Sequence, residues 1–163
     1  MQELPRSLKL ATVWLLIGLV VFLAVQWMQQ RERRSQFSAS GGVIELRRAA
    51  DGHFHWPGRV NGVAVDFLLD TGATGTTLPL ALAQQAGLEA IGAMRSDTAG
   101  GVVSGQIARA DIELDGGVRL KNLRVSVLPR LSSPLLGMDV LGKLHFSQAD
   151  GVMRLDTSNG DWN

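Results

Sequence analysis

The chain has 163 residues with 16 Lys and Arg against 15 Asp and Glu, so its formal charge of +1 offers no global field to attract nucleic acid or an acidic substrate. It has no cysteine, which excludes disulfides, thiol catalysis and Cys-based zinc sites. Tyrosine is also absent and glycine numbers 19, a composition suited to tight turns and hairpins rather than helical bundles.

Residues 1–9 form a short tail carrying Arg6 and Lys9. From Leu10 to Val25 there is no charge and Thr12 is the one polar side chain, and apolar character continues through Trp27 and Met28. That length crosses a bilayer core, so residues 10–28 are predicted to be a transmembrane anchor, with Trp14 and Trp27 near the interfaces. A cleavable signal peptide is the rival reading. Against it, Gln26-Trp27-Met28-Gln29-Gln30 places bulky residues where small ones precede a cleavage site. Basic residues on the two flanks nearly balance, so they do not orient the chain. A short tail ahead of an apolar signal-anchor favours a C-terminal domain outside the cytoplasm. Residues 29–42, polar and ending Ser-Ala-Ser-Gly-Gly, read as a juxtamembrane linker, which leaves 43–163 as one domain.

Within that domain Val43–Arg48 and His53–Val60 are predicted strands around Ala50-Asp51-Gly52, and Asn61-Gly62 is a hairpin signal joining the second to Val63–Leu69. The third strand is largely apolar on both faces and ends at Asp70. Gly72 and Gly75 are expected to adopt backbone conformations closed to other residues, turning the chain around that carboxylate. Thr71, Thr74, Thr76 and Thr77 supply hydroxyls for it to bond. The plain alternative is an ordinary turn, because Asp, Thr and Gly are all turn formers.

Leu80–Ala86 reads as a short helix stopped by Gly87, and Met94–Arg109 as a hairpin with a glycine-dense tip. Ile107–Leu114, Val118–Leu120 and Leu123–Leu128 continue as short strands, with Asp115-Gly116-Gly117 as a turn. Leu131–Gly137 leads to a short helix around Asp139–Gly142, and Leu144–Phe146 and Val152–Leu155 close the domain as strands. The pattern is all-β with minor helix.

Other candidates carry less. His53 and His55 lie on one face of a strand and could ligate a metal, but no third ligand is near and both read as surface or partly packed residues. His145 reads as core or edge packing, Asp66 as mainly structural with a minor electrostatic influence, and Asp139 as a helix N-cap. No Ser/His/Asp order and no phosphate-binding glycine loop is present.

Leu68-Leu69-Asp70-Thr71-Gly72-Ala73 matches a motif of two apolar residues followed by Asp-Thr-Gly-Ala, and Leu135-Leu136-Gly137 matches a second one of two apolar residues and glycine before a short helix. Between them, Gly100-Gly101 sits in a hairpin. On these residues the chain resembles the retropepsin-like aspartic proteases, and more closely their small membrane-anchored bacterial members. The resemblance spans roughly Val43 to Leu155. It implies an all-β half-barrel with a flap hairpin and one or two short helices, preceded by one transmembrane helix. It implies an aspartic endopeptidase with no metal or cofactor, held in a bacterial inner membrane with the catalytic domain on the periplasmic side.

In the resemblance Asp70 is the catalytic residue, Thr71, Gly72 and Ala73 support its loop, Gly100 and Gly101 belong to the substrate-covering flap, and Leu135, Leu136 and Gly137 pack beside the site. Two carboxylates held close cannot both ionise comfortably and share one proton, as aspartic-protease dyads do, which supplies an acid and a base together. Since the chain has a single Asp-Thr-Gly, the second Asp70 has to come from another copy, so a homodimer acting on a peptide or protein substrate is implied. One departure stands out: Thr74 and Met138 occupy positions where retroviral enzymes pair an acid with an arginine, so dimer contacts of the viral kind are not carried over. The rival function is a non-catalytic peptide- or protein-binding or dimerisation module on the same fold.

Overall fold

A computed structural model describes residues 14–24, 37–98 and 101–158. Contacts divide the chain into Met1–Gln36 and Phe37–Asn163. In the first unit the described residues 14–24 form helix α1, whose side chains are all exposed. Among the described residues no helix is long and apolar enough to cross a membrane. The rest of the anchor expected over 10–28 lies outside them.

The second unit runs β1 (Phe37–Ser40), β2 (Val43–Arg47), β3 (His55–Val60), β4 (Val63–Leu69), β5 (Thr77–Pro79), α2 (Leu80–Gln85), β6 (Gly92–Thr98), β7 (Gly101–Leu114), β8 (Val118–Leu128), β9 (Leu135–Leu136), α3 (Met138–Leu141), β10 (His145–Ala149) and β11 (Val152–Asp156). A seven-stranded sheet has the order β3-β4-β9-β5-β8-β7-β6, and β3 also pairs with β7. That pairing closes six of the strands on themselves and leaves β6 outside as an extension of β7. The second sheet, β1-β2-β11-β10, is antiparallel.

Alternation along the strands sorts side chains into the core. On β7, Ala108, Ala110, Ile112 and Leu114 point inward and meet Val118, Leu120, Val125 and Val127 of β8. Trp56 of β3 is fully buried, and its indole Nε1–H donates to the Asp115 carbonyl at 2.8 Å, which satisfies the one polar atom its burial would strand. Ile44, Leu46, Met153 and Leu155 carry the second sheet into the same hydrophobic cluster.

Several elements differ from the sequence expectation. The expected linker over 29–42 ends sooner, because Phe37–Ser40 pairs with Val43–Leu46 through a turn at Gly41 (φ 60°) and Gly42 (φ 82°). The two strands expected over 118–128 are one. Asn122 takes φ 55°, and its N–H donates to Asp111 Oδ1 at 2.7 Å, so a bulge opposite Asp111 absorbs the extra residue and β8 continues. Thr77–Pro79, where no strand is expected, is β5. The Asn61-Gly62 hairpin turn forms as expected, with φ of 46° and 84°.

Candidate active site

β4 delivers Asp70. The strand lies parallel to β9 in the register Leu68 to Leu135 and Leu69 to Leu136, and the Asp70 N–H extends the ladder by donating to the Leu136 carbonyl at 3.1 Å. The chain then reverses: the Ala73 N–H donates to the Asp70 carbonyl at 3.2 Å, and the Gly72 N–H donates to Asp70 Oδ1 at 2.8 Å. The half-buried Asp70 carboxylate is therefore held by the backbone of its own loop. The threonine hydroxyls expected to reach it go elsewhere. Thr76 Oγ1 donates to Asp139 Oδ1 at 2.9 Å and Thr77 Oγ1 to the Gly75 carbonyl at 3.1 Å, while Thr71 and Thr74 are exposed.

The loop returns into β5, where Thr77 pairs antiparallel with Leu135. The two residues of β9 thus lie between both arms of the loop. Beyond them, the Met138 N–H donates to the Ala73 carbonyl at 2.8 Å and the Asp139 N–H to the Thr74 carbonyl at 3.2 Å. Gly137 sits at the tightest point, with extended backbone (φ −93°, ψ −176°), and a Cβ there would lie 2.5 Å from the Gly75 carbonyl carbon and 2.9 Å from the Ala73 oxygen. This accounts for the second motif physically: only a residue without a side chain lets the two backbones touch.

Gly72 and Gly75 correct the expectation placed on them, since neither has a positive φ. The demand at Gly72 is for space, because a Cβ would stand 3.2 Å from Asp70 Oδ1. Asp139 corrects another. The N-cap of α3 is Gly137, without a side-chain bond; Asp139 lies in the first turn and accepts the Thr76 hydroxyl instead. Sequence reasoning missed this link, whose only local sign is a threonine in a Thr-rich run.

Of the two glycines expected in a flap, Gly100 lies outside the described residues. Gly101, with φ 103°, pairs with Thr98 in the last pair of the β6–β7 ladder, at the end away from Gly92 and Ile107. The histidines of the β3 region gather around an acid. The His53 N–H donates to Asp51 Oδ1 at 2.9 Å, and His55 Nε2 donates to Asp51 Oδ2 at 2.8 Å, while His55 Nδ1 stands 3.7 Å from Asp66 Oδ2. The His53 amide, and after it the His55 ring, hold the Asp51 carboxyl below its ordinary range. His145 is exposed on β10, at the edge of its sheet.

Comparison with known proteins places this geometry. The aspartyl protease family model matches residues 56–140. A retropepsin-like aspartic protease from Rickettsia conorii shares 28% identity and superposes with a TM-score of 0.57, covering 72% of this chain and 93% of that one. The EIAV protease complexed with the inhibitor HBY-793 matches at 22% identity over 54% of this chain and 84% of its own, with a TM-score of 0.47. An uncharacterized protein of Rickettsia prowazekii (strain Madrid E) is 32% identical over 110 residues, 65% of this chain and 47% of the relative. The chain thus spans about half the length of that curated relative. Since the matched segment takes in about half of the chain together with the Asp70 loop and β9, the chain belongs to the aspartyl protease family, in its retropepsin-like form.

Proposed function

We propose that the chain is an aspartic endopeptidase whose site is completed in a homodimer, with one Asp70 from each protomer. The observation that carries this reading is the Asp70 carboxylate itself, half-buried at the end of a core strand and oriented by the Gly72 amide at 2.8 Å. A turn aspartate with no other task does not need a loop pinned against a second strand. The sequence contains one Asp-Thr-Gly, so a second carboxylate of the same kind comes from a second copy.

In the dimer the two carboxylates share one proton. The ionised one takes a proton from water as the oxygen attacks the peptide carbonyl, and the protonated one gives its proton to the carbonyl oxygen. Collapse of the tetrahedral intermediate then breaks the C–N bond, with a proton delivered to the leaving nitrogen. No step calls for a metal or cofactor. The substrate lies extended against the β6–β7 hairpin near Gly101 and pairs with it through its backbone. Residues 10–28 anchor the protein in a bilayer by one pass, with the catalytic domain on the periplasmic side; the support for the span is their uncharged, apolar sequence, and for the side the short tail ahead of them.

The test uses the full chain in detergent micelles and a mixed-sequence peptide library. Asp70→Asn is expected to abolish cleavage with the unfolding midpoint and sedimentation unchanged. Mixed in equal amounts with wild type under exchanging conditions, it should leave about a quarter of the activity of wild type at the same total protein, against about a half if the chains do not exchange, since only one dimer in four then carries two carboxylates. Full turnover by Asp70→Asn would sink the mechanism. Cleavage by a strict monomer would sink the shared site, and a wild-type chain that binds peptides without cleaving any would favour the binding module.

A further inference from the structure

Asp139 holds the Asp70 loop at two points on either side of Gly75. Its N–H donates to the Thr74 carbonyl at 3.2 Å, and its carboxylate Oδ1 accepts the Thr76 hydroxyl at 2.9 Å. Thr76 is fully buried, and its hydroxyl also faces the Gly137 N–H at 3.5 Å, while its carbonyl accepts the Ser126 N–H of β8 at 3.0 Å. The other end of the loop is tied to the same short segment, by Asp70 N–H to Leu136 and Met138 N–H to Ala73. A single frame therefore runs from Leu136 to Asp139 along one side and from Asp70 to Thr76 along the other. Its side-chain rungs both use the Thr76 hydroxyl, which donates to Asp139 at 2.9 Å and accepts the longer bond from the Gly137 N–H at 3.5 Å.

We infer that Asp139 is a positioning residue for Asp70: its carboxylate, acting through the Thr76 hydroxyl, fixes the loop whose Gly72 amide orients the catalytic carboxylate. This rests on the reading of Asp70 as catalytic. A carboxylate suits the task because, ionised, it is an acceptor only and makes a charge-assisted bond that cannot reverse direction. Asparagine retains the Oδ1 acceptor but not the charge. Alanine leaves a buried hydroxyl without its acceptor and frees residues 73–76 to shift. Displacements of that kind, small beside the length of a bond to substrate, are felt in the rate of chemistry before they are felt in substrate binding.

The experiment uses the full chain in detergent micelles and the library peptide that wild type cleaves fastest. Asp139→Ala is expected to lower kcat by roughly 10- to 100-fold with KM held within about twofold. Asp139→Asn should recover most of that loss. Thr76→Val, which removes the same bond at nearly equal volume together with the longer one from the Gly137 N–H, should lose at least as much, and the double variant should be no worse than the poorer single one. Amide hydrogen exchange gives a readout independent of turnover and of folding yield in any one variant: Gly72 and Ala73 should exchange faster in both single variants. A structural role alone would lower the unfolding midpoint and leave the kcat of the folded protein as it was. Unchanged kcat and unchanged exchange in Asp139→Ala or Thr76→Val would overturn the inference, as would an Asp139→Asn variant no better than Asp139→Ala. If Asp70→Asn turns over substrate, the underlying reading fails; if it is dead while Asp139→Ala and Thr76→Val keep full kcat, only the positioning role fails.

Discussion

Gly137→Ala probes the point where the two family motifs touch. The new Cβ would lie 2.5 Å from the Gly75 carbonyl carbon, 2.7 Å from its oxygen and 2.9 Å from the Ala73 oxygen. Ordinary carbon contacts start near 3.5 Å, so relief requires a movement of about 1 Å between β9 and the loop. The obstructing atoms are backbone, so no side chain can swing aside. A 1 Å separation would stretch the Met138 N–H to Ala73 bond from 2.8 Å, and the Asp139 N–H to Thr74 bond from 3.2 Å, out of hydrogen-bonding range. Two lost bonds at about 1 kcal/mol each, with about 1–3 kcal/mol of overpacking strain, give a destabilisation of about 3–5 kcal/mol. For a domain of this size that is a fall in Tm of roughly 10–20 °C. Circular-dichroism melts of the full chain measure it, with Gly92→Ala as the control, because a Cβ at Gly92 meets Ile107 Cδ1 at an ordinary 3.9 Å. If the two variants melt within about 2 °C of each other, the close approach is not what selects glycine at 137.

How much of this arrangement is legible in the sequence follows from the range over which each constraint acts. The β3–β4 hairpin is legible because its signal is local: Asn61 and Gly62 tolerate the positive φ that a two-residue turn demands. The end of β4 is legible because an apolar run stops at a carboxylate. By contrast, Gly72 and Gly137 are conspicuous in sequence without revealing their reason. What excludes a side chain at Gly72 is the turned-back carboxylate of Asp70, two residues away, and at Gly137 the backbone of residues 73 and 75, brought close only by folding. The parallel β4–β9 register joins Leu68 to Leu135 across more than sixty residues, and nothing near either residue announces it. The same distance hides the Thr76–Asp139 bond, so position alone made Asp139 look like a cap. β1 is a different failure. Its Gly41-Gly42 turn is a recognised hairpin pair, but the polar composition around it reads as linker, and packing against β2 overrides composition.

Further perturbations separate core from surface. Trp56→Phe removes the indole donor to the Asp115 carbonyl and should cost about 1–3 kcal/mol in urea unfolding, whereas a loss below about 0.5 kcal/mol would mean that water replaces the bond. Leu136→Ala empties a fully buried position in the two-residue strand beneath the Asp70 loop, and should cost about 2–5 kcal/mol while also slowing cleavage. Acid sensitivity is set partly by Asp156, whose carboxyl is held below its ordinary range by the Ser158 hydroxyl and then by the Ser158 amide. A carboxyl that is more acidic folded than unfolded stabilises the fold while ionised. Its contribution is complete above the unfolded value near pH 4 and declines as pH falls through and below it, because the unfolded chain takes up the proton first. Unfolding midpoints of wild type and Asp156→Asn, measured from about pH 6 to pH 2.5, should therefore differ by a constant amount at the upper end and converge at the lower. A difference that widens on acidification would reverse the sign of the linkage and refute the assignment of those two bonds to the ionised carboxylate.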